Sequence, residues 1–157
     1  MKKYIILAFA VLAIISCNSG NDGKKDKFKL EDGEVIISKY INERPQIIRK
    51  VQEIDGVEKF LYEKEYYEDG NLLKEGPLKD DNRHGLWKSY YRDGTVWSEG
   101  EFIEGKREGI TKSYHPNSQV RYTGSFKNGR KSGEWRFYDE NGELLEIKYF
   151  QSEPLIE

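Results

Sequence analysis

Cysteine is nearly missing from this chain: Cys17 is the only one in 157 residues, so no disulfide can form within it and no thiolate pair is on offer to a metal. Histidine is almost as scarce. With only His84 and His115, and no histidine and carboxylate cluster at ligand spacing, a structural zinc site is not expected. Basic excess is lacking as well. Lys and Arg number 26 against 28 Asp and Glu, a formal charge of -2 that becomes -4 if Lys2 and Lys3 leave with a leader, which is unlike a nucleic-acid binder. Apolar residues with a sustained 3.6-residue period are absent beyond the first 17 positions, so a helical body is excluded. No serine or cysteine nucleophile motif, phosphate-cradling glycine loop or Asp-x-Asp-x-Asp calcium loop occurs. Acidic pairs such as Glu68-Asp69 and Asp139-Glu140 have the chemistry of a glycosidase acid and base, but they recur at turns and read as solvated turn residues. The expectation is a non-enzyme without cofactor or metal.

A long apolar run occurs once. Lys2 and Lys3 precede twelve apolar residues, Tyr4 to Ile15, too short for a permanent span and suited to the core of a signal peptide. The run ends in "IISC", Ile14 to Cys17, which resembles the bacterial lipobox, whose cysteine is lipidated and becomes the first residue of the mature protein. The resemblance implies a signal peptide over 1–17 and lipidation of Cys17, hence a lipid-anchored protein of the cell envelope. Asn18, where Asp would resemble an inner-membrane retention signal, slightly favours the outer membrane. Residues 18–29, "NSGNDGKKDKFK", read as a flexible tether of about 20 Å.

What the chain has in abundance is a repeated pattern. "GLWKSYYRDG" (Gly85 to Gly94), "GITKSYHPNS" (Gly109 to Ser118) and "GEWRFYDENG" (Gly133 to Gly142) follow one another at 24 residues. Tyr66, Tyr90, Tyr114 and Tyr138 align, as do Gly76, Gly100 and Gly124, and Leu78, Phe102, Phe126 and Phe150. Upstream, "ERPQIIRK" at Glu43 to Lys50 reads as a decayed copy of Glu68 to Glu75 at an offset of 25. Each copy holds two short aromatic and β-branched runs split by Asp69-Gly70, Asp93-Gly94, Asn117-Ser118 or Asn141-Gly142, a hairpin signal that predicts two-residue type I′ turns. Glu104-Gly105, Asn128-Gly129 and Asp81-Asn82 are placed to join successive hairpins. The expected fold is all-β, an elongated single-layer antiparallel meander. It comprises an N-terminal β segment over 30–60, the repeats over 61–150 and a tail over 151–157, within one domain of 36% hydrophobic and 34% charged residues.

Counting across Asp93-Gly94 as a two-residue turn pairs Tyr91 with Val96, Trp87 with Gly100 and Gly85 with Phe102, and places them on one face. A large ring at 87 or 135 then lies over a cross-strand glycine. Lys148 interrupts the glycine series, so the end of the fourth copy is expected to fray or cap. The opposite face carries Leu86, Ile110, Leu145, Ile147 and the recurring tyrosine, whose partner across the hairpin would be Leu73, Trp97, Arg121 or Leu145. His115, in the slot of Tyr67 and Tyr91, reads as a strand-end substitute.

The elements "GLWKSYYRDG", "EGEFIEGKREG" and "TGSFKNGRKSGEW" resemble MORN repeats in the variant form common in bacteria, over about Leu61 to Phe150. That resemblance implies a structural hairpin array with no catalytic residue. Bacterial proteins of this kind often carry an antitoxin label; for a chain exported on a lipobox the corresponding role would be immunity against a toxin acting in the envelope. The expected function is a non-catalytic protein-interaction module in the envelope. Its partner-binding candidates are Tyr66, Tyr90, Trp97, Tyr114, Arg121 and Tyr138, since rigid aromatics and Arg dominate interface hot spots. Sugar rings stacking on that stripe are an alternative. Another is acidic lipid head groups meeting Arg83, Lys106, Arg107, Arg130 and Lys131 at the turns, although basic turns commonly serve edge protection.

Overall fold

The computed structural model describes residues 28–151; Cys17, the leader and residues 152–157 lie outside the described region. Ten strands follow one another in a single antiparallel sheet: β1 (Glu34–Lys39), β2 (Pro45–Ile54), β3 (Val57–Tyr66), β4 (Leu72–Lys79), β6 (Gly85–Tyr90), β7 (Val96–Ile103), β8 (Lys106–Tyr114), β9 (Val120–Lys127), β10 (Arg130–Tyr138) and β11 (Leu144–Phe150). The short β5 (Asn82–Arg83) pairs with β4 beside this path. The meander is the expected one, and the Phe28 ring packs edge-on against Tyr66 with centroids 5.1 Å apart.

The two sets of turns divide the work differently from the sequence expectation. In the loop after β6, the Tyr91 N–H donates to Thr95 O and the Gly94 N–H to Tyr91 O, so three residues lie between the closing pair. Only Gly94 has positive φ, and Asp93 instead accepts the Thr95 N–H on its carboxylate. This is a type I turn followed by a left-handed residue. Asp69 and Asn117 do the same for Asn71 and Gln119. The type I′ turns sit at the other end of the sheet, with positive φ at both Asp55-Gly56, Glu104-Gly105 and Asn128-Gly129. There Asp80-Asp81, rather than Asp81-Asn82, forms the equivalent tip. The dipeptide Asp-Gly serves both kinds of turn, and the hydrogen-bond register of the flanking strands selects between them. The N-terminal hairpin is a further degenerate copy. Its loop closes by Tyr40 N–H to Arg44 O and Glu43 N–H to Tyr40 O, as Tyr67, Gly70 and Asn71 do in the next loop, so the loops register at 27 residues rather than 25.

Among the described residues no second layer covers the sheet; the tryptophan core is built within one face, while Ile48, 1% exposed, is buried on the other face beside Lys64. Trp87 pairs with Gly100 and Gly85 with Phe102, as expected. The glycine beneath each ring, however, lies on the preceding hairpin. A Cβ added at Gly76 would come within 2.5 Å of the Trp87 ring, and one at Gly124 within 2.2 Å of Trp135, whereas Gly100 underlies Thr111. Each indole lies along its neighbour's backbone and donates its N–H there, Trp87 to Pro77 O at 2.9 Å and Trp135 to Ser125 O at 3.2 Å. Thr111, the third member of that slot, donates to Glu99 O. Flat packing leaves Trp87 only 4% and Trp135 2% exposed. Phe102, Leu78 and Phe60 surround the first ring, and Tyr122, Phe126, Phe137 and Phe150 the second. The equivalent slot on β11 holds Lys148, and among the described residues no ring from a further hairpin lies over it.

On the opposite face, Lys64 lies 2.8 Å from the nearly buried carboxylate of Glu34. Burial pushes the Glu34 carboxyl up, but hydrogen bonds from Lys64 and the Glu31 N–H outweigh it and hold the group below its ordinary value. The stability this contributes is complete above the ordinary carboxylate range and is lost as pH falls through the lowered folded value. Two outcomes follow. Gly124→Ala should cost about 1–3 kcal/mol by urea denaturation, because the new Cβ would displace the Trp135 ring. Lys64→Met should cost about 1–3 kcal/mol at pH 7, with the gap to the native protein narrowing as pH falls below the ordinary carboxylate range and Glu34 protonates.

Candidate functional site

The recurring tyrosines stand at the last residue of β3, β6, β8 and β10, each at a register shift that opens the loop. Their partners across the hairpin are Leu72, Val96, Val120 and Leu144. Sequence counting gave the next residue in each case because it placed two rather than three residues in the loop. Trp97 therefore does not oppose Tyr90. Its ring lies 6.4 Å from that of Tyr91, and the side chain is 42% exposed. Arg121 is exposed one residue beyond the Tyr114 pairing with Val120.

Tyr66, Tyr90, Tyr114 and Tyr138 are half-buried rather than free. The Tyr90 hydroxyl donates to Glu75 and that of Tyr114 to Glu99, both at 2.7 Å. Burial, then the hydrogen bond and charge of Glu99, push the Tyr114 phenol up to about 12. Tyr90 is raised for the same reasons through Glu75. A depression of about 380 Å³ beside Tyr114 is lined by Gly94, Thr95, Val96, Glu99 and Ser118.

Glu75 and Glu99 belong to a cross-strand row on this face that runs Lys64, Glu75, Lys88, Glu99, Lys112, Thr123, Arg136, Ile147. Signs alternate from Lys64 to Lys112, and opposite charges on facing strands attract; Lys64 and Arg136 find their partners outside the row, in Glu34 and Glu134. Around it stand apolar side chains left open to solvent: Leu86, Ile110, Leu145, Ile147 and Tyr149. Among the described residues no group of three or more His, Cys, Asp or Glu side chains is placed to hold a metal ion. Such a face suits contact with another surface, with apolar anchors beside polar groups whose partners are already in place.

The basic candidates do not form one patch. Arg83 lies 4.3 Å over the Trp87 ring, Arg107 between Phe102 and Phe126 at 5.5 and 5.2 Å, and Lys131 4.4 Å over Trp135. These three, 24 residues apart, roof the aromatic face; Lys106 and Arg130 are exposed at the tips.

A second ladder escaped sequence reasoning although it carries the same period. The Tyr67 hydroxyl donates to Tyr90 O at 3.0 Å, that of Tyr91 to Tyr114 O at 2.8 Å, and His115 Nε2 bonds Tyr138 O at 3.0 Å. Tyr40 makes the equivalent bond to Tyr66 O. His115 is thus an inter-hairpin tie rather than a strand-end substitute. The fourth slot holds Asp139, which turns back to accept the Asn141 and Glu143 N–H groups of its own loop.

Raised phenols contribute stability below their ordinary pKa and lose it as pH rises through the folded value. Tyr114→Phe should therefore remove amplitude from the ultraviolet titration at the high-pH end, near 12, while steps nearer the ordinary phenol value of about 10 persist. Tyr91→Phe, which cuts one tie, should cost about 0.5–1.5 kcal/mol without changing the strand order.

No curated protein matches the chain. Among solved structures it is similar to the crystal structure of TarM at 13% identity and a TM-score of 0.38, over 62% of this chain and 19% of that one. The family profile described as MORN repeat variant matches residues 61–80, 83–104, 107–128 and 131–152. With four consecutive matches that together cover more than half of the sequence, coinciding with the ring, glycine and tyrosine slots described above, the chain belongs to the MORN repeat variant family.

Proposed function

We propose that the protein is a lipid-anchored, non-catalytic interaction module of the cell envelope, fixed by an acylated Cys17, which captures a protein partner on the sheet face opposite the tryptophans. The observation that carries this reading is the asymmetry of the two faces. One is closed by its own rings and cations, while the other presents Leu86, Trp97, Ile110, Leu145 and Tyr149 to solvent around a compensated charge row. A repeat array of this kind holds such residues in fixed relative positions, so complementarity needs little ordering on binding. Head-group binding is the weaker alternative, because Arg83, Arg107 and Lys131 lie against rings. Sugar stacking keeps support from Trp97 and Tyr149, whose rings are 42% and 75% exposed. If the partner is a toxin, this module would act as an immunity protein in the envelope.

The test is cross-linking of the tagged full chain in intact cells. Membrane recovery should be lost with Cys17→Ala. One stoichiometric envelope protein should accompany the anchored chain, and Trp97→Ala with Ile110→Asp should release it while Lys106→Ala with Arg130→Ala should not. Capture that survives the first pair and fails with the second would shift the site to the turn edge.

A further inference from the structure

Among the described residues the last strand, β11, pairs with β10 alone, and no strand lies along its other edge. Along seven residues it exposes Leu144 (52%), Leu145 (68%), Ile147 (41%) and Tyr149 (75%). An edge with free N–H and C=O groups flanked by apolar side chains is a template for another strand.

The fold itself argues against extension by a further repeat-like hairpin. A strand that continued the array would lay a ring where Gly76 and Gly124 lie bare, yet that slot on β11 is Lys148. It would also receive a tie from the slot of Tyr67, Tyr91 and His115, which Asp139 fills and uses on its own loop. Head-to-tail growth therefore lacks both of its fittings.

A symmetric partner needs neither. We propose that β11 is a dimerisation edge, pairing antiparallel with β11 of a second copy of this chain about a two-fold axis through Ile147. Two sheets then become one, with the aromatic faces on the same side. In an antiparallel ladder, directly opposed residues share a face. Centring on Ile147 sets Glu146 against Lys148 of the second copy, Lys148 against its Glu146, and Leu145 against its Tyr149. Centring on Glu146 or Lys148 would instead oppose like charges, which is unfavourable. Within one chain Lys148 and Glu146 already meet at 3.0 Å, with both side chains 51% exposed, so each is open to a second partner across the axis. The edge is charge-complementary to itself in this register.

Single-cysteine cross-linking of the full chain tests both pairing and register, with Cys17→Ala leaving one thiol to be placed. Ile147→Cys should oxidise to a species of twice the mass, because residues at the axis have Cα atoms about 4.5–5.5 Å apart, within disulfide reach. Leu144→Cys should not, since the two copies of residue 144 would lie about 20 Å apart. In the Ile147→Cys chain, Glu146→Lys should lower the yield about fivefold or more, and Glu146→Lys with Lys148→Glu should restore it. Emission from the buried Trp87 and Trp135 verifies that each variant is folded. Absence of a cross-link at 147 in folded protein, equal cross-linking at 144, or failure of the double exchange to restore the yield would overturn the proposal.

Discussion

Everything in this sheet depends on an indole lying flat on a neighbouring strand at a residue without a side chain. A single-layer sheet has no opposing layer to exclude water from its apolar face, so burial must come from within the face. Trp87 over Gly76 and Trp135 over Gly124 achieve it, and the same geometry brings each indole N–H to a carbonyl of the strand beneath. Replacing either glycine would lift the ring and expose what it covers. The cations Arg83, Arg107 and Lys131 complete the arrangement by roofing the rings while keeping their charge near solvent.

Closing one face on itself frees the other. Tyr90 and Tyr114 are half-buried and tied to Glu75 and Glu99, and the end cations of the charge row, Lys64 and Arg136, are paired with Glu34 and Glu134. What remains open is apolar and rigidly placed. The acidic side chains Glu75 and Glu99 on this face are engaged with the phenols of Tyr90 and Tyr114.

The fourth matched copy departs from the others in two places. Tyr67, Tyr91 and His115 each reach forward to the next hairpin, and Gly76, Gly100 and Gly124 each lie beneath its ring-slot residue. In the final copy both devices are absent. Asp139 folds its hydrogen bonds inward, and Lys148 carries a side chain where one can now be tolerated. Such substitutions look like decay when the copies are aligned; in three dimensions neither side chain engages a further hairpin among the described residues.

Period, hairpin count and the pairing of Trp87 with Gly100 were legible in the sequence because a strand alternates every second residue and each copy repeats the same spacing. The loops were not, since Asp-Gly fits either a type I′ turn or a type I turn with a left-handed glycine, and one extra residue moved each tyrosine's partner from Trp97 to Val96 or from Arg121 to Val120. Nor does a linear pattern say which neighbour's glycine a ring will cover, because Gly76 and Gly100 flank Trp87 on either side and only the direction in which the indole leans decides. The amino-acid order alone therefore determined the meander and its two faces. The tertiary structure decided which basic residues were spent on rings, which tyrosines became ties between hairpins, and which apolar side chains were left to meet another surface.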